Sequence, residues 1–314
     1  MRLYVAGRIL KAAVVIVIVS FMSFMLMYLI PGDPVAAVLG IDARPAEIAA
    51  LRSELGLDKP VMVRYYEWLS IAIHGNFGKS IVLNEEVMVL ISQRISLTAY
   101  LGALAFLLTL IIGVPLGVIS AMRRGRAIDS IISAIANIGV SVPIFLLGIL
   151  SIYIFGLYLG WLPIQGFTSP FKDFWLSMRQ TIMPVLCLMV LPMSMIVRQT
   201  RSSMIEVIGQ DYIRTAWAKG LKELLIIRRH AVKNGLIPIT TMAGMLVLQV
   251  VGGSVIIETV FNLPGMGRLL VTSVFNRDFI VVQAVIFVIA AFVMLINLAV
   301  DISYGWLDPR IRYG

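Results

Sequence analysis

Charged residues leave six long stretches of this chain untouched, at 12–30, 95–122, 130–171, 180–197, 234–257 and 279–300. Each is near or above the roughly 20 residues that an α-helix needs to cross the hydrocarbon layer of a membrane. The third stretch is long enough for two crossings. It becomes turn-rich after Leu159, where Gly160, Pro163 and Gly166 cluster with Gln165, so it counts as one. The pattern predicts an all-α, polytopic membrane protein with six transmembrane helices. Its organisation divides into helix 1 at 1–30, a polar outer cap at 31–94 and a five-helix core at 95–314.

The first stretch follows Arg2, Arg8 and Lys11, as a secretory signal would, but it ends in Pro31-Gly32-Asp33-Pro34 without a small-x-small cleavage site. A retained helix is expected. Composition agrees with a membrane: the 314 residues are 60% apolar and 14% charged, with mean hydropathy +0.95, too apolar for one water-soluble core.

The net charge of +9 is explained by topology. With both termini inside, the segments on the cytoplasmic side hold sixteen of the 26 Lys and Arg residues, and the remainder are diluted over longer outer loops. The same charge attracts anionic lipid head groups. No interleaving of aromatic and basic residues suggests a nucleic-acid surface. Cys187, the single cysteine, lies inside the fourth stretch and reads as a small buried apolar side chain, which removes disulfides and thiol metal sites.

The outer cap carries turn signals at Leu55-Gly56-Leu57-Asp58-Lys59-Pro60 and His74-Gly75-Asn76-Phe77-Gly78, a helix-like patch at 46–55, and Tyr65, Tyr66 and Trp68 where an interfacial aromatic belt would be useful. Helix 2 contains Gly113-Val114-Pro115-Leu116-Gly117, and helix 3 contains Gly139-Val140-Ser141-Val142-Pro143 with Gly148. Proline and small residues inside a span interrupt it and let backbones approach closely, so both helices are expected inside the bundle. A pore wall that changes shape and simple close packing would use these residues equally.

The most informative stretch is the basic loop 198–233, with eight Lys or Arg against Glu206, Asp211 and Glu223. Asp211 is placed to cap a short helix from Tyr212 to Lys219, and Gly220 to end it in the left-handed conformation. Tyr212, Ala216 and Lys219 share one side, with Ile213 and Trp217 forming an apolar ridge beside them. The pattern predicts a rigid peg that offers aromatic knobs to a partner.

Here the sequence resembles a known family. Arg201-Ser202-Ser203-Met204-Ile205-Glu206-Val207, then Asp211-Tyr212-Ile213-Arg214-Thr215-Ala216-Trp217-Ala218-Lys219-Gly220-Leu221, then Arg229-His230-Ala231-Val232-Lys233-Asn234 with Leu236-Ile237-Pro238, is similar to the EAA loop of ABC importer permeases of the dipeptide and oligopeptide (peptide, opine, nickel) variety. The Glu-Ala-Ala that names the motif is Arg214-Thr215-Ala216 here. Pro31-Gly32-Asp33-Pro34, Arg123-Arg124-Gly125, Glu258-Thr259-Val260-Phe261, Pro264-Gly265-Met266-Gly267-Arg268, Arg277-Asp278 and Leu307-Asp308-Pro309-Arg310-Ile311-Arg312 extend the likeness to a B-type subunit over nearly the whole chain.

The resemblance implies a type I importer permease fold in a bacterial or archaeal cytoplasmic membrane. It implies ATPase coupling through Glu206, Asp211, Tyr212, Arg214, Thr215, Ala216, Ala218, Lys219 and Gly220, within a coupling loop at 198–236. The implied partners are a second, similar permease, two ABC ATPase subunits that hold the ATP and Mg, and an extracytoplasmic solute-binding protein. Peptides are the implied cargo, with nickel chelates, opines or glutathione as alternatives. The outer loop at 259–278 is expected to fold back into the pathway mouth, with Phe261, Pro264, Gly265, Gly267 and Arg268 as gate or binding-protein contacts; an ordinary helix connector is the other reading.

Other classes fit less well. No Gly-x-x-x-x-Gly-Lys-Ser/Thr phosphate loop occurs, so any nucleotide is expected on another polypeptide, and the chain is not itself an enzyme. An ion-coupled secondary transporter would place ionisable residues mid-membrane. The six stretches contain none, with Glu258 and Asp301 just beyond their ends as boundary residues or partners for a neighbouring subunit. Ser141 lacks a histidine base for protease chemistry, since His74 and His230 fall in opposite aqueous loops, an arrangement that also argues against a metal site.

Overall fold

A computed structural model describes residues 2–29 and 58–307, together with the isolated positions 44, 46, 49 and 53. Most of the helical patch expected at 46–55, the turns at 31–34 and 55–57, and the closing motif from Asp308 onward lie outside the described residues. The described chain is helical, its one bridge between extended residues pairing Lys79 with Glu86. It divides into two compact units, residues 1–97 with 264–298 and residues 98–263 with 299–314.

In the first unit, α1 (Arg2–Leu29) and α2 (Val61–Ala72) meet through an aromatic cluster. Tyr65 is buried there rather than facing a membrane interface as expected. Its ring packs edge-on against Phe21 and Phe24, and its hydroxyl lies 2.8 Å from the Ser20 hydroxyl. A phenol so buried needs a polar partner, and Ser20 supplies one within the charge-free part of α1. Of the proposed belt, Tyr66 alone is largely exposed; Trp68 stacks edge-on against Phe287. The unit's core joins Val87, Leu90 and Ile91 to Met266, Leu269, Val281, Ala284 and Val285. Asp278 is buried, takes a hydrogen bond from the Ser80 hydroxyl, and accepts from the amide of Val281 at the start of α12 (Phe279–Leu307).

Helix α3 (Val87–Met122) starts before the charge-free stretch and leads into the second unit; Pro115 does not break it. The third stretch behaves differently. It divides into α4 (Ala127–Ser141) and α5 (Ile144–Ser151), the latter continued as a π-helix over Ile152–Tyr158, with a bend of 101° at Val142-Pro143. Pro143 cannot donate to the preceding turn and forces Val142 into an extended conformation, so the axis turns there. Helix α6 (Phe174–Ile208) is capped by the Asp173 carboxylate on the Leu176 amide and passes through Pro184 and Pro192.

Close approach explains Gly113 and Gly117 of α3. A Cβ on Gly117 would sit 2.8 Å from the Val197 carbonyl oxygen of α6, so a bulkier residue would force the helices apart. Four described helices are long and apolar enough to cross a membrane, five if the bent pair is one span. The fifth predicted crossing is α10 (Ile237–Val260), whose apolar part, Gly244–Val260, is shorter than the others.

Candidate coupling site

Helix α6 ends at Ile208, and Gly209-Gln210 turns the chain into α7 (Asp211–Ala218), the predicted peg. Two further short helices, α8 (Glu223–Ile226) and α9 (Val232–Gly235), flank a π-helical turn at Ile227–Ala231. The peg starts one residue earlier than expected. Gln210 holds the cap position, its carbonyl accepting from the Ile213 and Arg214 amides at 3.1 and 3.3 Å, so Asp211 sits in the first turn and caps nothing. There its negative charge faces the positive end of the helix dipole. The other end is as predicted: Gly220 has φ +76° and its amide closes on the Trp217 carbonyl at 2.9 Å.

The peg does not present Ile213 and Trp217 as one ridge. They lie four residues apart, yet the helix is so rolled that Ile213 and Ala216 point inward. Both join Met204, Ile226, Ile227, Ala231 and Ala121 in one apolar cluster, fixing the peg onto α6, the α8–π turn and the end of α3. Asn234 adds a polar tie, donating to the Tyr212 hydroxyl at 2.9 Å and to the His230 carbonyl at 3.2 Å. Outward and exposed remain Asp211, Tyr212, Arg214, Thr215, Trp217, Ala218, Lys219 and Gly220, with Glu206 exposed at the end of α6. Eight of the nine predicted coupling residues are therefore surface, and Ala216 belongs to the mounting beneath them.

Residues not singled out by sequence reasoning brace this mounting. Asp129 at the start of α4 is buried and receives a two-pronged grip from Arg201 of α6, Nε to Oδ1 at 2.6 Å and Nη2 to Oδ2 at 2.9 Å. The Ser120 hydroxyl and the Gly125 amide complete its shell at 2.6 and 2.9 Å. The pair so ties α3, α4 and α6 together on the side that carries the peg. A signal existed: Asp129 is a lone acid beside Arg123, Arg124 and Arg126 at the edge of a charge-free run.

The second predicted set separates. Phe261 is fully buried in the second unit, beside Gly148. It follows the last turn of α10, where Asn262 takes a left-handed φ of +53° and the Leu263 amide returns to the Glu258 carbonyl at 2.8 Å. Pro264, Gly265, Gly267 and Arg268 belong to the first unit, where α11 (Met266–Phe275) occupies the middle of the expected loop. Gly265 and Gly267 are buried, Pro264 is exposed and Arg268 is half-buried. Pro264, Gly265 and Arg268 share a cleft of about 290 Å³ with Arg94 and Asp278. Glu258, read from sequence as a boundary residue, is fully buried in the last turn of α10 and accepts from the Thr98 hydroxyl at 2.6 Å. Cys187 is buried, as expected, and no cluster of metal-ligating side chains occurs among the described residues.

Long apolar helices thus carry a short, firmly mounted helix on a basic loop. The chain belongs to the family of binding-protein-dependent transport system inner membrane components, whose model matches residues 113–313, and the N-terminal model of the same systems matches residues 1–102. It is 40% identical over 313 residues to a "Probable peptide ABC transporter permease protein" of Sinorhizobium fredii, covering all of both chains. It is 37% identical over 333 residues to the "Dipeptide transport system permease protein DppB" of Alkalihalophilus pseudofirmus, again over the full length of both. A chain of the methionine ABC transporter MetNI, solved in an inward-facing form, shares the fold with a TM-score of 0.58 at 20% identity, over 70% of this chain and 97% of that one.

Proposed function

We propose that this chain is the permease subunit of an ATP-driven importer that moves peptides handed over by a solute-binding protein. It pairs with a second, similar permease around a shared pathway and recruits two ATPase subunits, which bind the ATP and Mg; it hydrolyses nothing itself. Both termini lie in the cytoplasm and the chain crosses the inner membrane six times. Peptides are the cargo named for the full-length relatives, and the absence of a phosphate loop puts nucleotide chemistry on partners.

The observation that carries the coupling role is the division of α7 into two faces. Its inner face, Ile213 and Ala216, is locked into an apolar cluster that also holds the ends of α3 and α6. Its outer face offers Tyr212, Arg214, Trp217 and Lys219. A push on the outer face is passed to membrane helices instead of being absorbed by a floppy loop, and packed interfaces switch between discrete arrangements.

The test replaces outer-face residues without disturbing the mount. Trp217→Asp and Arg214→Glu are expected to leave the chain in the membrane at normal abundance while lowering ATP-dependent peptide uptake by roughly tenfold or more, as loss of an interface anchor does. Uptake at the parental rate by both variants in reconstituted vesicles would remove the coupling assignment.

A further inference from the structure

The second unit contains a cavity of about 570 Å³ among α4, α6 and α10, lined by Ser133, Asn137, Arg198, Gln199, Ser202 and Met242 among others. Its chemistry is unlike its surroundings. Asn137 falls in a helix that is otherwise mostly isoleucine, alanine and serine, and Arg198 and Gln199 mark the point where the charge-free stretch of α6 gives way to its polar last turns, with Asn137 and Arg198 exposed to the cavity. Polar side chains in membrane-spanning helices are costly unless they meet one another or water, and they commonly mark a solute path. Here they have not used one another up. Neither amide side chain, Asn137 or Gln199, makes a hydrogen bond among the described residues, and Arg198 has no ion pair there. Arg201, the other cation at the cavity, is neutralised by Asp129, so the wall has one uncommitted positive charge.

We propose that this cavity is a transit site for peptide on the cytoplasmic side of the pathway, in which Asn137 and Gln199 hydrogen-bond the peptide backbone and Arg198 receives the terminal carboxylate. The proposal rests on the peptide reading above and adds the residues that meet the cargo. Three features suit a peptide. The volume lies within the range of small-molecule sites, about 300–1,000 Å³. Amide side chains both donate and accept, matching a backbone whatever side chains it carries. One guanidinium supplies the fork that a carboxylate fills. The neighbouring 101° bend at Val142-Pro143 lets α4 carry these residues without continuing straight past them.

The experiment uses the assembled importer in vesicles, with a labelled pool of alanine oligopeptides bearing free C termini and the same pool as C-terminal amides. Arg198→Gln is expected to lower uptake of the free acids by about tenfold, the size of one charge-assisted hydrogen bond, and to leave uptake of the amides within twofold. Arg198→Lys should recover part of the difference. Asn137→Cys, or Ser133→Cys should the first fail to assemble, should react with a charged, water-soluble thiol reagent at a rate slowed by peptide; Cys187 is buried and stays silent. Equal loss for acids and amides, or an introduced thiol that the reagent never reaches because the second permease covers it, overturns the transit site. Failure of the parental complex to import either pool with ATP would instead overturn the peptide reading itself.

Discussion

Asp129 shows how much a single side chain does at the mount. A carboxylate with two guanidinium contacts, a hydroxyl and a backbone amide is satisfied despite burial, whereas either charge alone in that place is not. Asp129→Asn keeps the shape and removes the charge, leaving Arg201 uncompensated. Breaking such a pair costs about 3–5 kcal/mol when both partners are buried, and Arg201 keeps a third of its side chain exposed, so the loss should fall at or below the low end. The expected result is a lower melting temperature of the purified complex, with Arg201→Lys intermediate because an ammonium cannot reproduce the fork. A melting temperature unchanged in Asp129→Asn would mean that water already stabilises the arginine. Ile213 acts through packing alone. Ile213→Ala should weaken the seating of the peg by about 2–5 kcal/mol, seen as faster proteolysis of the 209–235 loop in an otherwise intact bundle.

At the scale of elements, the packing of α3 on α6 rests on a close approach at Gly117, where Val197 and Thr200 leave no room for a side chain. Gly117→Leu is expected to cost more than an overpacked core substitution of about 1–3 kcal/mol, because the obstacle is a helix backbone that cannot rotate away. The check is the yield of assembled complex, and Gly117→Ala should lose less. This element was legible in the sequence: a proline and two glycines four apart in an apolar run signal close packing whatever the fold. The peg was legible too, because glycine in the left-handed region after a short amphipathic run has few other uses. What the sequence concealed was the roll of α7. Ile213 and Trp217 look equivalent on a helical projection, and only the apolar cluster from α3, α6 and the π turn decides that one goes in and the other stays out. The ion pair was hidden for a related reason, since Asp129 and Arg201 are 72 positions apart and each reads alone as a topology charge. The bend at Pro143 is the opposite case: proline and small residues occur in both α3 and α4, and the break comes where Val142 is extended, whereas Pro115 is absorbed within a continuous helix.

For the whole molecule, the bent pair α4–α5 decides which side of the membrane the peg occupies. Counting from Arg123, Arg124 and Arg126, a pair that crosses as one span puts the 160–173 loop outside, and α6 then returns the peg to the side of those arginines. A pair that instead dips in and comes back leaves the 160–173 loop inside, and α6 carries the eight basic residues of 198–233 to the outer face, away from any ATPase. The charge distribution strongly favours the first, because basic loops are retained in the cytoplasm and this is the most basic loop of the chain. Lys172→Cys should accordingly react with a membrane-impermeant thiol reagent in intact cells, and Gln210→Cys only after the cells are opened. Both positions lie in exposed turns beside α6, and the buried Cys187 contributes no background. The reverse pattern would make α4–α5 a re-entrant hairpin and would overturn the proposed cytoplasmic peg, the proposed six crossings and the proposed transit site among α4, α6 and α10 together.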